Sequence, residues 1–338
     1  MLIPNSISKD KKKVFLGIEI LRVILCFWVI SFHSIQCKII NTFLLNVIKT
    51  KLFHVPCFSF MSFYFSYNIF RDKNIFKFKK RLQRLIIPYV LWPIIIFAID
   101  NISNRKIIIP FNHLIIQLIC GRKILIPLWY LFVIIFLTIF FFILSSIIQN
   151  HFLFVIQIIS IFSYFYQYSG FYHLFDIFLD NAMLPIPIID TLDIIPLSTL
   201  GFIFSELKIV EILCRKRKTT LFFSFLFIYF LFKFDIFINL GGYKGIIHIF
   251  VSTFFFLGFV FLPLENTPHF IQNIIKEITR YTNGIYCLQD KMIPFINDKF
   301  KNYSGTFKNC IIIYLLSYFF SFIGNKLTGK TQLKYLFI

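Results

Sequence analysis

Long apolar runs separated by short basic stretches organise the chain from end to end. Runs approaching the ~20 residues that cross a bilayer fall at 14–36, 52–70, 85–101, 124–148, 151–168, 191–206, 220–238, 246–262, 282–297 and 309–324. Ten such runs predict an all-α fold, a polytopic integral membrane helical bundle of about ten transmembrane helices with both termini cytoplasmic. Residues 107–120 are also apolar, but the run is short and interrupted by Pro110, which suits a re-entrant or interfacial helix. Lys9, Lys11, Lys12 and Lys13 precede the first run as they would in a signal peptide. That run is too long for an h-region, lacks a small-residue cleavage site and carries Glu19 and Arg22, so it reads as a retained first membrane helix. No internal repeat, Gly/Ser linker or heptad pattern divides the sequence, which reads as one domain over residues 1–338.

Charge orients this bundle. Lys plus Arg number 35 and Asp plus Glu 15, a net +20, on a chain that is 58% apolar with 50 Phe. A nucleic-acid binder would carry such charge on a polar surface; here the basic residues sit between apolar runs, so no nucleic-acid partner is expected and the lipid bilayer is. With both termini inside, 21 of the 35 basic residues fall on the inner side. They include the densest clusters, Lys79-Lys80-Arg81 and Arg215-Lys216-Arg217-Lys218. This is the positive-inside pattern of a multi-pass protein of the plasma (inner) membrane. The seven Cys show no CxxC and no metal-ligand spacing, so they read as core residues and no metal site is expected.

An ionisable group within a span costs at least ~2.5 kcal/mol by insertion scales, and the first span holds three. Arg22 and His33 are eleven residues apart, which returns to within ~20° of one helix face about 16 Å further along. Glu19 lies one turn before Arg22 and can pair with it. The face reads Glu19, Arg22, Cys26, Val29, His33. One reading is a buried ion pair with a headgroup-level histidine. The other is a site in which His33 is a base near a hydroxyl, Arg22 stabilises an anion, oxyanion or thioester carbonyl, and Glu19 fixes Arg22. A polar track of this kind also lines transport pathways. His54 and His113 read as interface or loop histidines.

Glu19-x-x-Arg22 followed by ten residues and His33 resembles the first-helix pattern of the membrane acyltransferases called acyltransferase family 3. Three later blocks fall in that family's order. His54-Val55-Pro56-Cys57-Phe58-Ser59-Phe60-Met61-Ser62-Phe63-Tyr64 resembles its second-helix block. Lys80-Arg81-Leu82-Gln83-Arg84 running to Pro88-Tyr89 resembles its basic loop and third-helix start. Pro127-Leu128-Trp129-Tyr130-Leu131 resembles the Leu-Trp-(aromatic)-Leu that opens the fourth. Thr282-Asn283-Gly284-Ile285-Tyr286-Cys287-Leu288 resembles the penultimate-helix block, but Gln289, followed by Asp290, stands where that block has His.

The resemblance implies transfer of an acyl group, commonly acetyl, from a cytoplasmic acyl-CoA such as acetyl-CoA to a hydroxyl of a glycan or lipid-linked sugar, with no permanently bound cofactor. His33, Arg22 and Glu19 would be catalytic. Lys80, Arg81 and Arg84 would meet CoA phosphates, although topology alone also accounts for a basic loop there. Trp129, Gln289 and Asp290 would face the acceptor, with an interface aromatic as the other use of Trp129. Two alternatives stay open: an exporter of glycan or lipid-linked sugar, and a family member that has lost turnover with the histidine at 289.

Overall fold

The computed structural model describes residues 6–34, 54–103, 110–120, 128–168, 187–233, 246–299, 307–329 and 331–336. Numbered over these residues, the helices are α1 (Ser6–Ser34), α2 (His54–Arg71), α3 (Ile75–Ser103), α4 (Phe111–Cys120), α5 (Trp129–Ile148), α6 (Phe152–Tyr168) and α7 (Pro187–Glu206). They continue as α8 (Ile209–Cys214), α9 (Arg217–Lys233), α10 (Ile246–Val260), α11 (His269–Arg280), α12 (Thr282–Lys299) and α13 (Phe307–Thr328). No strand occurs among the described residues. Pro127 and Cys37 lie outside them.

Each apolar run read from the sequence carries a helix, and 107–120 carries only the ten-residue α4. Among the described residues, four stretches are long and apolar enough to cross a membrane: Leu16–Ser34, Ile75–Asn101, Trp129–Tyr166 and Lys308–Thr328. The other helices on those runs fall short of that combined length and apolarity. Sharp turns separate neighbours at Lys73, Gln149 and Lys208, where φ is 49°, 44° and 49°.

Three elements differ from the sequence reading. α3 begins at Ile75, so the basic stretch before residue 85 is helix rather than loop. Lys77, Lys80, Arg81 and Arg84 then fall at i, i+3, i+4 and i+7, a single stripe. α11 was not expected, because alternating short apolar pairs and charges do not make a spanning run. Lys291, which is not among the 21 basic residues assigned to the inner side, sits within α12 and pairs with Asp100 of α3 at 2.6 Å.

Lipid tails solvate apolar side chains as well as other helices do, so association within a bilayer rests on close packing and on small residues that let backbones approach. α1 packs against α10, α11, α12 and α13, while α2 packs along α7 and α10. Gly17 and Gly201 mark two of these contacts: a Cβ at Gly17 would overlap the Phe259 carbonyl of α10, and one at Gly201 would come to 2.5 Å from the Phe60 carbonyl of α2. Around the second contact, Phe202 packs edge-on against Phe63, Phe70 and Phe141, with centroids 5.1–5.4 Å apart. This interlocked core fixes α2 as the pillar beside α1. Cys26, Cys57, Cys287 and Cys310 are buried in the bundle, as expected of core residues, while Cys214 is exposed.

Candidate active site: a basic cavity between five helices

A cavity of about 760 Å³ opens among α1, α2, α3, α5 and α12. α1 contributes Glu19, Arg22 and Cys26, successive turns of the polar face read from the sequence. α3 contributes its whole basic stripe, Lys77, Lys80, Arg81 and Arg84. Five cations thus face one carboxylate, Glu19, in the lining. An excess of positive charge at a partly desolvated site is an anion-binding arrangement.

The two deeper arginines are held by hydroxyls. Arg22 Nη1 donates to Glu19 Oε2 at 3.3 Å, a long contact, and Nη2 donates to Thr282 Oγ1 at 3.1 Å. The Thr282 hydroxyl passes its own proton to the Thr279 carbonyl at 2.9 Å, so it accepts from Arg22 with a fixed orientation. Arg22 keeps 36% of its side chain exposed, on the cavity. Arg81 Nη2 donates to Ser62 Oγ at 2.8 Å and Nε to Thr138 Oγ1 at 3.2 Å, and its guanidinium lies 5.3 Å from the Phe63 ring centroid. No carboxylate pairs with Arg81 among the described residues. Lys77, Lys80 and Arg84 are exposed and line the open part of the wall.

Residues that the sequence singled out divide into two groups. Glu19, Arg22, Lys80, Arg81 and Arg84 converge on the cavity. His33, Trp129, Gln289 and Asp290 do not line it. His33 lies seven residues beyond Cys26, about 10 Å along α1, half-buried against Phe32, whose ring also reaches His54 at 5.9 Å. The periodicity of the helix put Arg22 and His33 on one face; the cavity follows that face only as far as Cys26. His54 is not an interface histidine, since it is 1% exposed and lies within electrostatic reach of His33 and of His248 on α10. Gln289 is fully buried with neither amide atom hydrogen-bonded, an arrangement that buried amides rarely adopt. Asp290 is half-buried on the adjacent position of α12.

Other lining groups went unread in the sequence. Tyr130, not its neighbour Trp129, faces the cavity, within hydrogen-bond reach of Ser59 and electrostatic reach of Arg81, and its ring meets Tyr286 at 6.4 Å. The aromatic after Trp129 in the quoted block was the available signal. Ser62 and Thr282 stood in quoted blocks without an assigned role, and Thr138, which holds Arg81 without lining the cavity, stood in none, because a hydroxyl in an apolar run looks the same whether it bonds its own helix or a distant arginine.

Comparison with curated proteins and with solved structures finds no match. The family model described as an acyltransferase domain matches residues 15–326, which include every helix that lines the cavity. With apolar helices long enough to cross a membrane and a cavity lined by five cations among them, the chain is an integral membrane protein that belongs to acyltransferase family 3.

Proposed function

We propose that the protein is an O-acyltransferase that moves an acyl group, commonly acetyl, from acyl-CoA to a hydroxyl of a glycan or lipid-linked sugar at the plasma (inner) membrane. The observation that carries this reading is the five-cation lining of a single cavity against one carboxylate, which suits the phosphates of a CoA donor. The exposed Lys77, Lys80 and Arg84 meet the phosphates, and the thioester end points toward Arg22, Cys26, Tyr130 and Tyr286. Arg22, steadied by Glu19 and Thr282, stabilises the oxyanion that forms on the acyl carbonyl. His33 stands about 16 Å further along α1 than Arg22, so it receives the proton of the attacking hydroxyl from the side beyond Cys26 through bridging water rather than by touching the reacting carbonyl. The new C–O ester bond forms as the C–S bond breaks, and the CoA thiolate leaves and is protonated to the free thiol.

A strain whose only copy carries His33→Ala tests this. Surface glycan that is still exported but lacks its ester group supports the transferase, and absence of the glycan from the surface supports an exporter. An ester level equal to the wild type removes His33 from the mechanism. The buried, unbonded amide of Gln289 favours one second reading, a member without turnover. In that case the wild-type strain itself forms no ester.

A further inference from the structure

Helix α11 has a divided surface that neither the cavity nor the spans use. It is 12 residues long, about 18 Å, too short to cross a bilayer. Phe270, Ile271 and Ile274 are 73%, 43% and 41% exposed, and the basic Lys276 and Arg280 are exposed on the other side of the helix. Its depth is given by α1: Thr279 Oγ1 lies 3.5 Å from the carbonyl of Glu19, the fourth residue of the apolar stretch that starts at Leu16. A helix joined to α1 at that level lies at the boundary between apolar core and headgroups. It lies at the same end of α1 as the tail lysines, Lys9 to Lys13.

We propose that α11 lies in the plane of the membrane interface, with Phe270, Ile271 and Ile274 in the acyl boundary and Lys276 and Arg280 against anionic lipid headgroups, and that this seating sets the position of Arg22. An exposed apolar face with cations on the polar side of the same helix, at that depth on a chain already in the bilayer, has the lipid surface as its complement. The mechanical link is continuous. Tyr281, 1% exposed, donates its hydroxyl to Glu277 Oε1 at 2.9 Å and accepts from Asn325 Nδ2 of α13 at 3.2 Å. Burial, and then the Glu277 carboxylate, raise the pKa of that hydroxyl above its ordinary value, so it keeps the proton it donates. Tyr281 thereby ties the end of α11 to α13, and the next residue in the chain, Thr282 at the start of α12, holds Arg22. Movement of α11 off the membrane surface pulls on that acceptor.

A basic residue near an anionic surface is worth ~1 kcal/mol, so removing both charges shifts the seated-to-lifted ratio by up to about thirtyfold. The test uses the full chain reconstituted in vesicles of phosphatidylcholine alone or with phosphatidylglycerol, read by amide hydrogen exchange over residues 270–280. Exchange slows when phosphatidylglycerol is present in the wild type and not in Lys276→Gln/Arg280→Gln, while Phe270→Asn/Ile274→Asn speeds exchange in both lipids. Equal exchange in the two lipids overturns the seating. The second readout, acyl transfer, rests on the function proposed above. A transfer rate that rises with phosphatidylglycerol in the wild type but not in the charge variant supports the link to Arg22, and exchange that responds while the rate does not overturns that link. A wild type that transfers nothing in any vesicle refutes the acyltransferase reading and leaves exchange to decide the seating.

Discussion

Replacing Thr282 by Val removes one hydroxyl from the cavity wall and almost nothing else, since the two side chains have nearly the same shape. Thr282 is 4% exposed, so the substitution leaves packing intact. Two hydrogen bonds go: Arg22 Nη2 loses its acceptor at 3.1 Å, and the Thr279 carbonyl loses its donor at 2.9 Å. A hydrogen bond from a charged donor is worth about 1.5–3 kcal/mol, and the partial exposure of Arg22 to the cavity lets water replace some of it, which puts the loss near ~1.5 kcal/mol. If the guanidinium acts on the developing oxyanion, that loss appears in kcat as a fall of about tenfold. The binding of acyl-CoA, carried by the α3 stripe, changes little. Thr282→Ser keeps both hydrogen bonds and retains wild-type kcat. The assay is release of CoA thiol from acetyl-CoA by the reconstituted protein, with the thermal midpoint of each variant as the check on folding. A kcat within about twofold of wild type for a folded Thr282→Val protein refutes the claim that this bond positions Arg22 for the reaction.

Three further outcomes follow from the same geometry. Lys80→Gln with Arg84→Gln raises the KM for acyl-CoA by roughly tenfold, ~1.4 kcal/mol, and flattens its dependence on salt, measured by initial rates across ionic strength. Gly17→Ala and Gly201→Ala each force two helix backbones apart and destabilise the fold by about 1–3 kcal/mol, measured as a lowered thermal midpoint in detergent. Arg217→Ala lowers it too, by about 1–2 kcal/mol: Arg217 Nε donates to the Phe261 carbonyl at 3.0 Å just past the end of α10, and its guanidinium also bonds Leu262 and Glu265.

The helices were legible because apolar runs in a membrane protein are long and their interruptions are charged. The half of the site that lies on one helix was legible for the same reason: Glu19, Arg22 and Cys26 follow from 3.6-residue periodicity alone, and the stripe from Lys77 to Arg84 follows once that stretch is taken as helix. Three things needed the fold. The hydroxyl acceptors of Arg22 and Arg81 come from residues 260 and 19–57 positions away in the chain, and no spacing rule reaches that far. The extent of the cavity depends on side chains from other helices, with Phe58, Tyr130 and Tyr286 in its lining alongside Cys26. The surroundings of Phe32, and so of His33, are set by how α2 begins, where His54, read as interfacial, is in fact buried and in ring contact with Phe32. α11 escaped detection because a helix lying along an interface needs neither the length nor the uniform apolarity of a span.

Labelled acetyl-CoA added to membranes that carry wild-type protein or an equal amount of Arg22→Gln tests the central claim most directly, with label counted in alkali-labile ester. The wild type forms labelled ester, and Arg22→Gln forms about a hundredfold less, as expected from loss of one oxyanion-stabilising donor. Equal labelling by the two proteins, or no labelled ester from the wild type in membranes that contain the acceptor glycan, would contradict a transferase centred on Arg22.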